Sequence, residues 1–153
     1  MDKGYLTVNI IRFIKLDDRA VKPKKSTPGS AAFDMYAVLD SPVEIAAGGK
    51  AKIPTGIALE QPDSGWVSLL FSRSGMGAEF MISLSNSVGV IDSDYRGEIV
   101  VSLMNSSNEV YTVNPGDRVA QLLPIRIPEV SLVEVDELSN TKRSDGGFGS
   151  TGS

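Results

Sequence analysis

The sequence predicts an all-β fold: a single domain of short strands in a barrel-like or jelly-roll-like arrangement, with a flexible glycine-rich C-terminal arm and at most one short helix. Three observations carry that expectation. Apolar residues recur with period two, turn-forming residues divide the chain at short intervals, and no long stretch carries the periodicity of an amphipathic helix. At 153 residues the chain can bury one self-sufficient core and is short for two.

The elements follow in order. Leu6, Val8 and Ile10 alternate with Thr7 and Asn9 as an opening strand. Pro23, Pro28 and Gly29 mark residues 22–30 as a loop. Strands are then expected over 32–38, 43–46, 51–59, 66–71, 81–85, 98–105, 111–113 and 118–126. Asn114-Pro115-Gly116-Asp117 is the clearest turn, because Pro presets φ at its second position and Gly accepts positive φ at its third. A brief helix over 74–80 is weakly signalled, and 132–138 reads as a last strand pairing far from its sequence neighbours. After Leu138 the composition changes to Gly, Ser, Thr and charge, which divides the chain into a core over 1–138 and an arm over 139–153. Two readings of the arm are open: a frayed terminus, or a flap that orders over a phosphate ligand.

Composition narrows the chemistry. The chain has no cysteine and no histidine, which removes disulfides, thiolate zinc sites and every His-based nucleophile arrangement. Acid–base work must rest on Asp, Glu, Tyr or Lys. A net charge of −4 repels a nucleic-acid polymer, and the charged N-terminal stretch resembles neither a signal peptide nor a membrane span. A cytoplasmic protein without a membrane partner is expected.

Candidate chemistry gathers in a few segments. Asp92-Ser93-Asp94-Tyr95-Arg96-Gly97-Glu98 packs charge and a rigid ring into a turn, approached through small and polar residues from Asn86, with Gly89 where backbone can come close to a ligand. Without histidine, an Asp held in such a turn is the natural group to activate a water. Arg73, Ser74 and Gly75 offer a guanidinium fork, a hydroxyl and an approachable N–H to phosphate oxygens. Asp34, inside an apolar strand, must be satisfied by partners or face a polar site; a structural role and a functional one are both open.

In order, these segments resemble the five motifs of the trimeric dUTPase family. Ala31-Ala32-Phe33-Asp34-Met35-Tyr36-Ala37 is similar to the first and Arg73-Ser74-Gly75-Met76 to the second. Gly89-Val90-Ile91-Asp92-Ser93-Asp94-Tyr95-Arg96-Gly97-Glu98 is similar to the third, Gly116-Asp117-Arg118-Val119-Ala120-Gln121 to the fourth, and the glycine-rich run from Arg143 to Gly152 to the fifth. The third and fifth are long and specific. The chain departs from the usual pattern at Ala32 and Met35, where Gly and Leu are common, at Ser72 for Pro, and at Gly77 for Ala.

The resemblance implies a dUTP diphosphatase that forms dUMP and pyrophosphate, keeping uracil out of DNA and supplying dUMP for dTMP synthesis. It implies that Asp92 deprotonates the attacking water, with Ser74 and Arg143 assisting at the phosphates. Asn86, Gly89, Val90, Ile91 and Val100 would read uracil, largely through main-chain groups, and Tyr95 would pack under the deoxyribose. Arg73, Ser74, Gly75 and Gln121 would bind the phosphate chain, while Arg143, Gly149, Ser150 and Thr151 clamp its end and Phe148 stacks on the base. Mg2+ would be held by phosphates and water with no direct protein ligand, leaving Asp34 one step removed from the metal or at a subunit boundary. A homotrimer with sites between subunits is also implied. The rival readings are a dCTP deaminase or bifunctional relative, and a regulatory β protein that binds nucleotide without turnover.

Overall fold

Alternating side chains put one face of each main strand into a shared core. The computed structural model describes residues 9–142, 144 and 145. Among these residues the elements are β1 (Arg12–Lys15), β2 (Phe33–Tyr36), β3 (Val43–Ile45), β4 (Lys50–Pro54), β5 (Ile57–Glu60), β6 (Trp66–Phe71), α1 (Ser74–Phe80), β7 (Ile82–Leu84), β8 (Gly89–Ile91), β9 (Val100–Asn105), β10 (Tyr111–Val113) and β11 (Arg118–Arg126).

A four-stranded sheet in the order β2-β11-β6-β8 and a three-stranded sheet in the order β4-β9-β7 supply the main layers. β1 pairs with β5 and β3 with β10, and every pairing is antiparallel. Among the described residues the strands form open sheets, so the jelly-roll half of the expectation fits and a closed barrel does not. Met35 and Val119 from the larger sheet meet Ile53, Ile82 and Val101 from the smaller in one apolar cluster. Within the larger sheet, β11 sets Gln121 opposite both Asp34 of β2 and Phe71 of β6. That register brings three chemically suspect segments to one sheet end.

Several expectations shift. The run 51–59 is two strands, because Gly56 takes φ 63° and turns the chain away from β9, the partner of β4, toward β1. The opening strand stands at Arg12–Lys15, where the edge of β5 offers pairing; Ile10 precedes it in irregular, exposed chain, and Leu6 and Val8 lie outside the described residues. Residues 132–138 form no strand, and Leu132, Val133, Val135 and Leu138 are exposed. The weakly signalled helix over 74–80 is present, and it ends on Met81 in the left-handed region at φ 56°. No helix among the described residues is long and apolar enough to cross a membrane.

Candidate active site

Two groups of the expected site residues are built on opposite ends of the four-stranded sheet. The first is organised by Asp34, which is buried on β2. Its Oδ2 accepts a hydrogen bond from the Ser26 hydroxyl at 2.8 Å and one from Arg118 Nη1 at 3.3 Å, and its Oδ1 accepts from Arg73 Nε at 3.3 Å. Burial pushes the Asp34 carboxyl up, but the bonds from Ser26 and Arg118 and the charges of Arg73 and Arg118 hold it below the ordinary carboxylate value. The structural and functional readings of Asp34 therefore meet in one geometry: a satisfied buried carboxylate that orients two guanidinium groups.

Arg73 stands where β6 gives way to α1, and its carbonyl accepts from Gly77 N at 3.0 Å. Ser74 and Gly75 follow, exposed, in the first turn of α1. Gln121 is fixed by its amide, which donates to the Ser72 carbonyl at 3.0 Å. The Ser72 hydroxyl in turn accepts from Leu84 N at 2.8 Å, tying this connection to β7. A hydroxyl bond to the neighbouring strand thus steadies the position where the family more often has proline. Asp34 and Gln121, with Ser26, Ser30 and Phe71, line a cavity of about 360 Å3.

The second group is the hairpin after β7. Asn86 is exposed in the turn, and β8 then runs antiparallel to β6 with Gly89 opposite Leu70 and Ile91 opposite Ser68. A Cβ on Gly89 would stand 3.0 Å from Leu70 Cβ, so the close approach that demands glycine is to the protein's own strand rather than to a ligand. Asp92 follows β8, exposed, and its carbonyl accepts from Tyr95 N at 3.2 Å to close the turn. The Tyr95 hydroxyl donates to the Glu98 carbonyl at 2.9 Å, laying its ring across Gly97, where a Cβ would lie 2.5 Å from Tyr95 Oη. Two cavities share this hairpin and three of its residues, Val90, Ile91 and Val100. The inner, about 130 Å3, extends to Leu84, Asn86, Gly89 and Ser102. The outer, about 200 Å3, extends to Asp92, Tyr95 and Glu98.

The groups do not meet within one chain. Asp92 leaves the sheet beyond Ile91, opposite Ser68, whereas Arg73 leaves beyond Phe71, toward the other end of the same strand. At the ordinary rise per residue that strand length is roughly 10 Å, before either residue turns away. The cavity beside Asp92 accordingly includes none of Arg73, Ser74, Gly75 or Gln121. Arg143, Phe148, Gly149, Ser150 and Thr151 lie outside the described residues.

Residues that brace both groups had no bracing role in the sequence analysis. Ser26, Ser72 and Arg118 brace the first, and Gln61, Thr55 and Glu98 brace the second. Ser26 sits in a polar loop without any such signal, and the other five are polar side chains in or beside an apolar run.

The dUTPase family model matches residues 18–152. A deoxyuridine 5'-triphosphate nucleotidohydrolase of Desulfitobacterium hafniense is 45% identical over 144 residues, covering 93% of this chain and 94% of the relative. One from Anaplasma marginale is 47% identical over 130 residues, covering 85% and 88%. Among solved structures, the dUTPase of Staphylococcus bacteriophage 80alpha with dUpNHpp superposes with a TM-score of 0.85 at 25% identity, covering 95% of this chain and 100% of that one. The dUTPase of phage phi11 of S. aureus, in a mutant described with a structural Mg(II) ion, shares the fold with a TM-score of 0.77 at 24% identity, covering 86% and 100%.

Proposed function

The chain belongs to the dUTPase family, and from that premise we infer that it is a dUTP diphosphatase, hydrolysing dUTP to dUMP and pyrophosphate. The observation that carries the reading at residue level is the hairpin from Asn86 to Val100, which presents Asp92 and Tyr95 at the rim of paired cavities. Uracil is assigned to the inner cavity, lined by Asn86, Gly89 and Val90, and the sugar to the outer one beside Tyr95. A base with the wrong donor and acceptor edge would leave buried groups unpaired, which discriminates by orders of magnitude.

With uracil so held, Asp92 takes the proton of a water aimed at the α-phosphorus, in line with the leaving pyrophosphate. Arg73, Ser74, Gly75 and Gln121 bind the phosphate chain; Asp34 keeps the Arg73 fork pointed and Ser72 keeps Gln121 pointed. Ser74 donates to charge developing on the leaving group. The arm over 139–153 closes the site, with Arg143, Gly149, Ser150 and Thr151 on the terminal phosphate and Phe148 on the base. That closure excludes bulk water and aligns the nucleophile.

The sheet ends from which Asp92 and Arg73 depart support a homotrimer whose sites lie between subunits, one copy supplying the uracil hairpin and another the phosphate cluster. Exposed Val130, Leu132, Val133, Val135 and Leu138 support the same assembly, because a chain segment this apolar needs a neighbour to cover it. The donor set fits a magnesium ion carried in on the triphosphate: both Asp34 oxygens are engaged by Ser26 and two arginines. Bound with the triphosphate, such an ion would offset charge developing on the phosphates. The cytoplasm, where deoxynucleotides are made, is the compartment that fits this activity.

Pyrophosphate release from dUTP, dTTP, dCTP and UTP with Mg2+ tests the reading. Turnover of dUTP alone is expected. Ammonia release from dCTP at a comparable rate points to a deaminase instead, and dUTP left intact rules out the diphosphatase.

A further inference from the structure

We propose that Gln61 is a positioning residue for this reaction, holding the Asp92 turn in place through the carbonyl of Ile91. The proposal rests on Asp92 being the base.

Gln61 follows β5 and is 5% exposed. Its Nε2 donates to the Ile91 carbonyl at 2.9 Å, while its Oε1 has no hydrogen-bond partner among the described residues. Burying an amide with its acceptor unused costs stability, and Leu or Met would fill the same volume without that cost. What the amide contributes is therefore direction, through the one bond it makes.

That bond acts on the peptide unit that leads into Asp92. Ile91 is the last residue of β8, and beyond it the strand ladder to β6 ends. The Ile91 carbonyl and the Asp92 N–H belong to one plane, so fixing the oxygen fixes the plane from which the Asp92 backbone departs. A catalytic carboxylate displaced by about an ångström can lose a hundredfold in rate.

The returning arm of the hairpin is held separately, by the same stretch of chain. Glu98 Oε1 accepts from Gly56 N at 2.7 Å, Thr55 Oγ1 donates to the Ile99 carbonyl at 2.6 Å, and Ile99 N donates to the Ile57 carbonyl at 2.8 Å. Thr55 to Gln61 is thus a brace under both arms, and loss of the Gln61 bond releases only the arm that carries Asp92.

The test compares Gln61→Met and Gln61→Leu with wild type and Asp92→Asn, as full-length proteins assayed on dUTP with Mg2+. In both Gln61 variants kcat is expected to fall about tenfold or more, with KM within about twofold of wild type. The melting temperature should stay within a few degrees of wild type, because departure of the unpaired Oε1 offsets the donor lost by the Ile91 carbonyl, and hydrogen exchange should speed up in the peptide over 89–96 alone. Unchanged kcat in both variants overturns the inference. So does a kcat loss accompanied by lower melting temperature and faster exchange throughout the chain, which marks a merely structural residue. Wild-type protein inert toward dUTP overturns the functional reading itself, and full turnover by Asp92→Asn overturns the assignment of the base; either takes this inference with it and is distinguished by those two controls.

Discussion

Two aspartates occupy opposite environments, and their environments assign their work. Asp92 is exposed at a turn, with room beside it for water and sugar, while Asp34 is buried under Ser26, Arg73 and Arg118. Asp92→Asn should therefore leave dUTP binding near wild type and lower kcat by about 10² to 10⁴, the range of a lost general base; steady-state kinetics and a binding isotherm measure the two separately. Asp34→Asn should instead cost stability, about 1–3 kcal/mol at neutral pH, by leaving two guanidinium groups short of their charged partner. Because the Asp34 carboxyl is held below its ordinary value of 3.8, its contribution is fully present above that value and is lost as pH falls through the lowered one. The gap in melting temperature between wild type and Asp34→Asn should hold from pH 7 down to about 4 and narrow as pH falls further below 3.8; a gap that stays constant down to the acid limit of folding would deny the linkage. At this scale the sequence showed which side chains were unusual for their surroundings, Asp34 among apolar neighbours and Gln121 in an apolar strand. It did not show what the Gln61 and Ser72 side chains hold, since a single polar residue beside an apolar run reads as a strand end until its partner 30 or 12 residues away is known.

The hairpin over 86–100, to which the proposed function assigns selectivity, is closely packed. Gly89→Ala would press a methyl group against Leu70 at 3.0 Å and should destabilise the protein by about 1–3 kcal/mol, with a raised KM for dUTP because β8 must lift from β6. Thermal melting and steady-state assay on the same sample check both effects. On the proposed function the arm supplies ligand contacts, so truncation after Leu138 is expected to leave a folded protein with badly impaired turnover; failure to fold would make the arm structural. Most strands were legible because alternation and turn chemistry agreed, as at Trp66–Phe71, Tyr111–Val113 and Arg118–Arg126. The misses share one physical cause: pairing partners, absent from a local window, decide boundaries. β5 bends off at Gly56 to meet β1, β1 forms where that edge is free, and 132–138 stays out of the sheets of its own chain.

For the whole molecule, the described parts of the proposed site stand at two ends of one sheet. On the proposed function, the sugar and base at Tyr95 and Asp92 and the phosphates at Arg73 and Gln121 would belong to two copies, and a closed cyclic assembly would satisfy each copy in turn. The net charge of −4 gives no general attraction for the anionic substrate, so the local guanidinium cluster around Asp34 must supply it. The proposed trimer rests in the sequence on family resemblance alone, because no periodicity or composition records which surface a second copy covers. Mixing two crippled chains tests the shared site most directly. Asp92→Asn and Arg73→Ala, co-expressed under different tags and purified as mixed oligomers, each lack one half of the machinery. If the halves come from different copies of a trimer, every mixed trimer keeps both groups intact at about a third of its sites, and dUTP turnover should return to about that fraction of wild type. Mixed oligomers as inactive as either parent would contradict the account.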